Sequence, residues 1–129
     1  MVHFVGAGSG AVDLITVRGA RLLAECDVVI YAGSLVNPEV LRYCREDCEI
    51  FDSAKMTLEE VIAVIRRAER EGKTTVRLHT GDSSIYGAVH EQFEQLDQLG
   101  IDYDVCPGVS AFCGAAAALR AEYTLPEVS

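Results

Sequence analysis

Residues Arg77 to Gly87, R-L-H-T-G-D-S-S-I-Y-G, decide how this chain is read. Upstream, Thr74-Thr75-Val76-Arg77-Leu78 is β-branched and apolar enough to form a buried strand. Downstream, Ala88 to Leu99 has helical spacing of its apolar residues. A polar, glycine-containing turn therefore sits where a strand ends and a helix begins, the place where open α/β sheets bind small ligands. Gly81 permits backbone geometry closed to other residues. Thr80, Asp82, Ser83 and Ser84 bring hydroxyls and one carboxylate to the same point. The turn taken alone reads equally well as a plain strand-to-helix connection with Asp82 or Ser83 as helix N-cap.

The rest of the chain repeats this pattern. Val2 to Val5 is a short apolar strand, followed at once by Gly6-Ala7-Gly8-Ser9-Gly10, and Asp13 heads a helical run. Asp27 to Tyr31 is a second strand, apolar after its first residue, as expected of a strand covered on both faces. Pro38 opens a helix through Cys44, and Glu49-Ile50-Phe51 is a brief third strand. Thr57 with Glu60 makes a capping box for a helix that Gly72 closes. After the central strand and helix, Asp102 to Cys106 is the fifth strand, Pro107 to Ala111 a loop, and Phe112 to Ala121 an alanine-rich helix. Thr124 to Ser129 reads as extended. Five alternations predict an α/β fold: a five-stranded, mostly parallel sheet with helices on both faces and right-handed crossovers.

Composition bounds the function. A chain of 129 residues, 50% hydrophobic, fits a single globular α/β domain. No apolar run reaches the length of a membrane span and no basic leader precedes the first strand, so a soluble cytoplasmic protein is expected. The net charge of −9 and the lack of any Lys/Arg run argue against nucleic acid as a partner. The five cysteines, Cys26, Cys44, Cys48, Cys106 and Cys113, are scattered among apolar residues. Cys44 and Cys48 can share a helix face, but nothing completes a zinc pattern, so buried free thiols and no metal are expected. His79 and His90 read as a turn residue and a helix-face residue rather than catalysts.

The first glycine loop has a rival reading. Gly6-x-Gly8-x-x-Ala11 satisfies the dinucleotide fingerprint of a Rossmann-type oxidoreductase domain. That mechanism needs a carboxylate at the tip of the second strand, where this chain has Ile30-Tyr31-Ala32-Gly33, while Asp27 lies at the wrong end. A non-catalytic dimerisation module, with the Ala111 to Leu119 helix as interface, is a second alternative.

Four stretches together carry a specific resemblance: Val5 to Gly19 (V-G-A-G-S-G-A-V-D-L-I-T-V-R-G), Tyr31 to Val36 (Y-A-G-S-L-V), Arg77 to Gly87, and Cys106 to Ala111 (C-P-G-V-S-A). In order and spacing they resemble the tetrapyrrole (corrin/porphyrin) methylase family. Y-A-G-S-L-V, D-S-A-K-M-T-L-E-E and the closing T-L-P-E-V-S are most similar to its branch that methylates C-11 of precorrin-4 in cobalamin synthesis. The resemblance implies methyl transfer from S-adenosylmethionine to a ring carbon of a corrin precursor. It implies cofactor contacts at Gly8, Ser9, Gly10, Thr80, Gly81, Asp82, Ile85, Ser110 and Ala111. Arg18, Arg21 and Lys55, with Arg42 beside them, are the candidate cations for the carboxylates of a tetrapyrrole substrate.

Departures qualify the match. The family usually has Gly-Pro-Gly where this chain has Gly8-Ser9-Gly10, and Gly-Asp-Pro where it has Gly81-Asp82-Ser83. Both changes remove proline rigidity and keep the glycines, which predicts looser binding. Some relatives carry an acid after the second strand, where this chain has Ala32 and Gly33, so the sequence assigns no general base. Family members have two domains, about twice this length, with the cofactor between them, and form homodimers. The chain corresponds to the N-terminal half, which by itself is expected to bind the cofactor weakly and not to turn over.

Overall fold

The computed structural model describes residues 1–33, 35–80 and 89–120. Five strands, β1 (Val2–Gly6), β2 (Val28–Tyr31), β3 (Glu49–Asp52), β4 (Thr75–His79) and β5 (Tyr103–Cys106), form one sheet in the order β3-β2-β4-β1-β5. Every pairing is parallel. Four α-helices accompany them: α1 (Val17–Glu25), α2 (Leu58–Arg70), α3 (His90–Leu99) and α4 (Ala111–Leu119). The expected α/β class and parallel sheet are thus observed.

Two apolar layers fix the helices on opposite faces. On one, Leu23 of α1 packs with Val5, Val29, Val76 and Leu78, and Val36 and Val40 complete the layer. On the other, Val61, Ile62, Ile65 and Ala68 of α2 and Leu96 of α3 cover Val2, Phe4, Val28 and Ile30. Each fully buried Leu, Ile or Phe contributes about 1.5–3 kcal/mol relative to exposure. Alternation along β4 sends Val76 and Leu78 to the first layer and Thr75, Arg77 and His79 to the second. All five β4 residues are buried.

Local chemistry shifts several boundaries. Asp13 does not head a long helix: Val12–Leu14 is a single 3-10 turn, and α1 starts only after Thr16, whose Oγ1 accepts from Gly19 N at 3.0 Å. The break follows from Gly8, against which the Leu14 carbonyl is packed. The segment opened by Pro38 is a 3-10 helix (Pro38–Tyr43), held by Val40 N to Asn37 O and Cys44 N to Leu41 O, with the Asn37 side chain capping Glu39 N. Cys44 and Cys48 therefore share no helix face. The Thr57–Glu60 capping box is present with both bonds at 3.1 Å. In α4, Arg120 takes a left-handed C-cap at φ +55°. Ala121 and the Thr124 to Ser129 stretch lie outside the described residues.

Candidate functional site

The register places three loops side by side. Gly6 of β1 pairs with His79 of β4, and Val5 with Cys106 of β5. Chain segments starting at Ala7, Thr80 and Pro107 therefore leave neighbouring strands about 5 Å apart at the same sheet edge. Ala7 N donates to His79 O at 2.6 Å, tying the first two together. From this edge β1 leads to α1 on one face, and β4 leads to α3 on the other. Adjacent strands whose connections part in this way open a crevice between them, the topological switch point where doubly wound sheets take ligands.

The glycine loop is built to approach closely. Gly8 is buried at φ +87°, and a Cβ there would stand 2.5 Å from the Leu14 carbonyl oxygen. Gly10 has φ +119°, is exposed, and a Cβ on it would meet nothing within 4 Å. Its carbonyl accepts from Asn37 Nδ2 at 3.0 Å, which fixes the loop while its outer side stays open. Ser9 lies against α4: a Cβ at Gly114 would collide with the Ser9 side chain.

The other expected cofactor residues divide into groups. Thr80 is exposed at the end of β4. Ser110 is buried, and its Oγ caps α4, accepting from Cys113 N at 3.4 Å and donating to Cys113 Sγ at 3.6 Å. That hydroxyl is committed to the helix, leaving the backbone around it to meet a ligand. Ala111 is the first residue of α4. Gly81, Asp82 and Ile85 lie outside the described residues.

The expected substrate cations are less concentrated. Arg18 and Arg21 are exposed on the first turns of α1, which starts from the crevice edge. Lys55 is exposed just after β3, the far edge strand, about 10 Å across the sheet from β4. Among the described residues none of the three forms an ion pair. The Arg42 guanidinium lies 5.6 Å over its neighbour's ring, Tyr43, a local stacking contact.

Three features at this end of the sheet were not read from the sequence. His79 is the last residue of β4 rather than part of the turn; it is buried, its ring lies 5.9 Å from Phe4 in a stacked arrangement, and its Nε2 has no hydrogen-bond partner among the described residues. Burial, then the nearby Arg77 charge, lowers its pKa to about 3, so the ring is neutral. Arg77 itself is buried, donating to Gln92 Oε1 at 3.0 Å and to the Ile30 carbonyl at 3.2 Å, and burial lowers its pKa to about 10. Asp52, register partner of Tyr31, brings a carboxylate to the loop after β2 from another strand. Its Oδ1 accepts from Gly33 N at 3.0 Å and Ala54 N at 2.9 Å, so it orders that corner. Parallel pairing of two short strands, invisible as a local pattern, created that juxtaposition.

Asp27, set aside as lying at the wrong end of β2, does lie there. It accepts from Thr74 N at 2.9 Å and from Arg45 at 2.8 Å, and these bonds hold its carboxyl below the usual range. No group of three or more His, Cys, Asp or Glu side chains suited to a metal occurs among the described residues, and no described helix is long and apolar enough to cross a membrane. His90 is exposed at the start of α3 and pairs with Glu94 at 3.0 Å.

Comparison with known proteins supplies independent information. The family profile for Tetrapyrrole (Corrin/Porphyrin) Methylases matches residues 1–129. The chain is 53% identical over 128 residues to a cobalt-precorrin-4 C(11)-methyltransferase of Methanocaldococcus jannaschii, covering 99% of this chain and 49% of that protein. It is 52% identical to a precorrin-4 C(11)-methyltransferase of a Sinorhizobium species, covering 99% and 51% respectively. The chain thus spans about half the length of the curated relatives it matches. The X-ray structure of a cobalt precorrin-4 methyltransferase, described as a cobalamin biosynthetic enzyme, superposes with a TM-score of 0.94 at 44% identity over 98% of this chain and 53% of that one. A uroporphyrin-III C-methyl transferase of Thermus thermophilus, complexed with S-adenyl homocysteine, has a TM-score of 0.74 at 30% identity over 89% of this chain and 47% of that one.

Proposed function

Since the chain belongs to the tetrapyrrole (corrin/porphyrin) methylases, we propose that it is the cofactor-holding, N-terminal domain of a two-domain enzyme that methylates C-11 of precorrin-4, or of its cobalt form, in cobalamin biosynthesis. S-adenosylmethionine, when bound, supplies a methyl group on a cationic sulfur. The residues of the crevice fit such a group. Gly10 turns an open side outward, Thr80 is exposed at the end of the adjacent strand β4, and α4 lies against Ser9 of the glycine loop. Gly8, Ser9, Gly10, Thr80, Ser110 and Ala111 are the proposed contacts, together with Gly81, Asp82 and Ile85, which follow Thr80 in the sequence. The single observation that carries the reading is the Gly6–His79 pairing with the two connections departing to opposite faces.

Methyl transfer of this kind is an in-line displacement on carbon. Holding the two reactants in line is what the protein must do, and such positioning contributes on the order of 7–11 kcal/mol at best. The chain's role is to bind, orient and keep water out. Arg18 and Arg21, at the crevice end of α1, are the proposed partners for substrate carboxylates, and Lys55 is a more distant one. The same reading makes the whole protein a cytoplasmic homodimer with no nucleic-acid partner.

Titrating isotope-labelled chain with S-adenosylhomocysteine while recording amide spectra tests this. Shifts confined to residues 6–12, 80–85 and 107–112 are expected, with weak affinity for the chain alone. Shifts centred on the opposite sheet edge, or a response to NAD with none to S-adenosylhomocysteine, overturn it. Whole enzyme, given labelled cofactor and precorrin-4, tests the reaction.

A further inference from the structure

The central strand carries a buried cation. Arg77, midway along β4, is 7% exposed, and its guanidinium bonds to two other elements. Its Nε donates to Gln92 Oε1 at 3.0 Å, and its Nη1 donates to the Ile30 carbonyl at 3.2 Å. Gln92, the third residue of α3, is equally buried, and Ile30 is the register partner of Arg77 on β2. One side chain thus ties β4, β2 and α3 together. Burying a guanidinium costs stability relative to an apolar side chain of similar volume, even where the charge has hydrogen-bonded partners. The partners described here are neutral oxygens, and among the described residues no carboxylate pairs with Arg77. A contribution other than stability has to offset that cost, and the bonds themselves are directional.

What they direct is the start of α3. The other three α-helices are set locally at their first turns: Thr16 caps α1, Thr57 and Glu60 box α2, and Ser110 caps α4. Val89, the residue before α3, offers no side-chain acceptor, and that helix has no side-chain cap. Where α3 begins is therefore left to its contacts with the sheet. Among the described residues, Gln92 reaching Arg77 is the polar one. The two residues are 15 positions apart, and the stretch their bond encloses contains Thr80, Gly81, Asp82 and Ile85. Fixing the two ends of a connection lowers the entropy lost when it orders around a ligand.

We propose that Arg77 and Gln92 are a positioning pair for the cofactor site: their hydrogen bond sets the start of α3 against the end of β4, and with it the span of the segment that carries four of the proposed S-adenosylmethionine contacts. They act through that segment rather than on the ligand. The bond to Ile30 makes the sheet the anchor, because it holds the guanidinium to a neighbouring strand while Gln92 holds the helix to the guanidinium. The inference rests on the reading of the crevice as the cofactor site. It separates two properties that a purely structural contact would move together. Replacing both partners by apolar side chains of similar volume removes a buried charge and leaves neither side chain unpaired, so stability is kept or gained. Binding is lost all the same, because the helix start is no longer held.

Amide spectra of the isotope-labelled chain, titrated with S-adenosylhomocysteine, read relative affinity from the initial slope of the residue 6–12 shifts, on a different loop from either substitution. Gln92→Leu and the double variant Arg77→Met/Gln92→Leu should each lower that slope by about tenfold, and by the same factor, because the two residues act through one bond. Gln92→Glu keeps the acceptor and should bind as the parent does. The double variant should nevertheless melt at or above the parent's temperature. Ile65→Val, which removes a methylene from the buried α2 layer, should lower the melting temperature and leave the slope unchanged. A parent that binds, with Gln92→Leu and the double variant binding equally well, overturns the positioning role and leaves the cofactor reading standing. Gln92→Glu failing to rescue, or Ile65→Val losing slope in step with stability, also overturns it. A parent chain that does not respond to S-adenosylhomocysteine overturns the cofactor reading, and this inference with it.

Discussion

At the scale of single residues, the site end of the sheet is held by groups whose environments are unusual, and each makes a measurable claim. His79 is neutral when folded, with its pKa near 3, whereas the unfolded value is 6.5. Its folded pKa is depressed, so stability is fully present above about pH 6.5 and is lost as pH falls toward 3, the unfolded chain taking a proton that the buried ring refuses. Between pH 6.5 and 5 the loss attributable to this ring is about 1.5 kcal/mol, at 1.36 kcal/mol per unit of pKa difference. His79→Phe keeps the stacking on Phe4 and removes the orphan nitrogen, so its urea midpoint should change less between those two pH values than the parent's. An equal change in both proteins refutes the assignment. Gly8 and Gly10 make a paired claim. Both have positive φ, but only Gly8 faces backbone where a side chain would go. Each Ala substitution incurs backbone strain of about 1–3 kcal/mol, and Gly8→Ala adds the collision with Leu14. A larger fall in melting temperature for Gly8→Ala than for Gly10→Ala is expected; the reverse order is incompatible with this loop geometry. The sequence showed that the loop needed glycines but not which glycine answered to packing, because the Leu14 carbonyl reaches Gly8 only through the 3-10 turn that interrupts the expected helix.

At the scale of elements, α4 and the glycine loop test each other. Gly114 sits inside α4, where Ala would normally be preferred by up to about 1 kcal/mol. Here a Cβ would strike both the Oγ and the Cβ of Ser9, and while a hydroxyl can rotate away, a Cβ cannot. The collision therefore outweighs the propensity gain. Gly114→Ala should lower thermal stability and weaken S-adenosylhomocysteine binding together, since the helix or the loop must shift; a more stable variant with unchanged binding contradicts the contact. Elements whose signals are local were legible beforehand. The Thr57–Glu60 capping box, the glycine closing α2 and the apolar runs of β1, β2 and β4 correspond to observed structure. Elements shaped by distant parts of the chain were not: the 3-10 character of Pro38–Tyr43 and the start of α1 at Thr16 depend on Asn37 reaching Gly10 and on Leu14 meeting Gly8. The strand order was equally hidden, since alternation specifies a parallel sheet without saying that β4 inserts between β2 and β1. That insertion joins the glycine loop to the Thr80 turn, so the candidate site was legible as a set of loops and not as a geometry.

At the scale of the whole molecule, two opposing electrostatic effects respond to salt, and their balance can be predicted. Locally, opposite charges gather near the start of β3: Arg67 and Lys73 bridge Glu49 and Glu71 at 2.9–3.3 Å, and Arg45 bridges Asp27 and Asp47 at 2.8 and 3.4 Å. These pairs are exposed, and exposed pairs contribute little to stability and weaken as salt rises. Globally, a net charge of −9 on 129 residues repels itself in the compact state, more than in the expanded unfolded chain. Screening acts on both, with a Debye length falling from about 30 Å at 0.01 M to about 10 Å at 0.1 M. The ion pairs are shorter than either length and lose little over that range. Repulsion between acids spread over the molecule acts across tens of ångströms and is largely removed. The melting temperature should therefore rise with sodium chloride over this interval at neutral pH, most steeply at the low end. A fall would mean that the charge clusters around Glu49 and Asp27 dominate, and neutralising Glu49 with Gln would then make the fall smaller; if the self-repulsion account is right, the rise persists in Glu49→Gln and shrinks only in proportion to the charge removed.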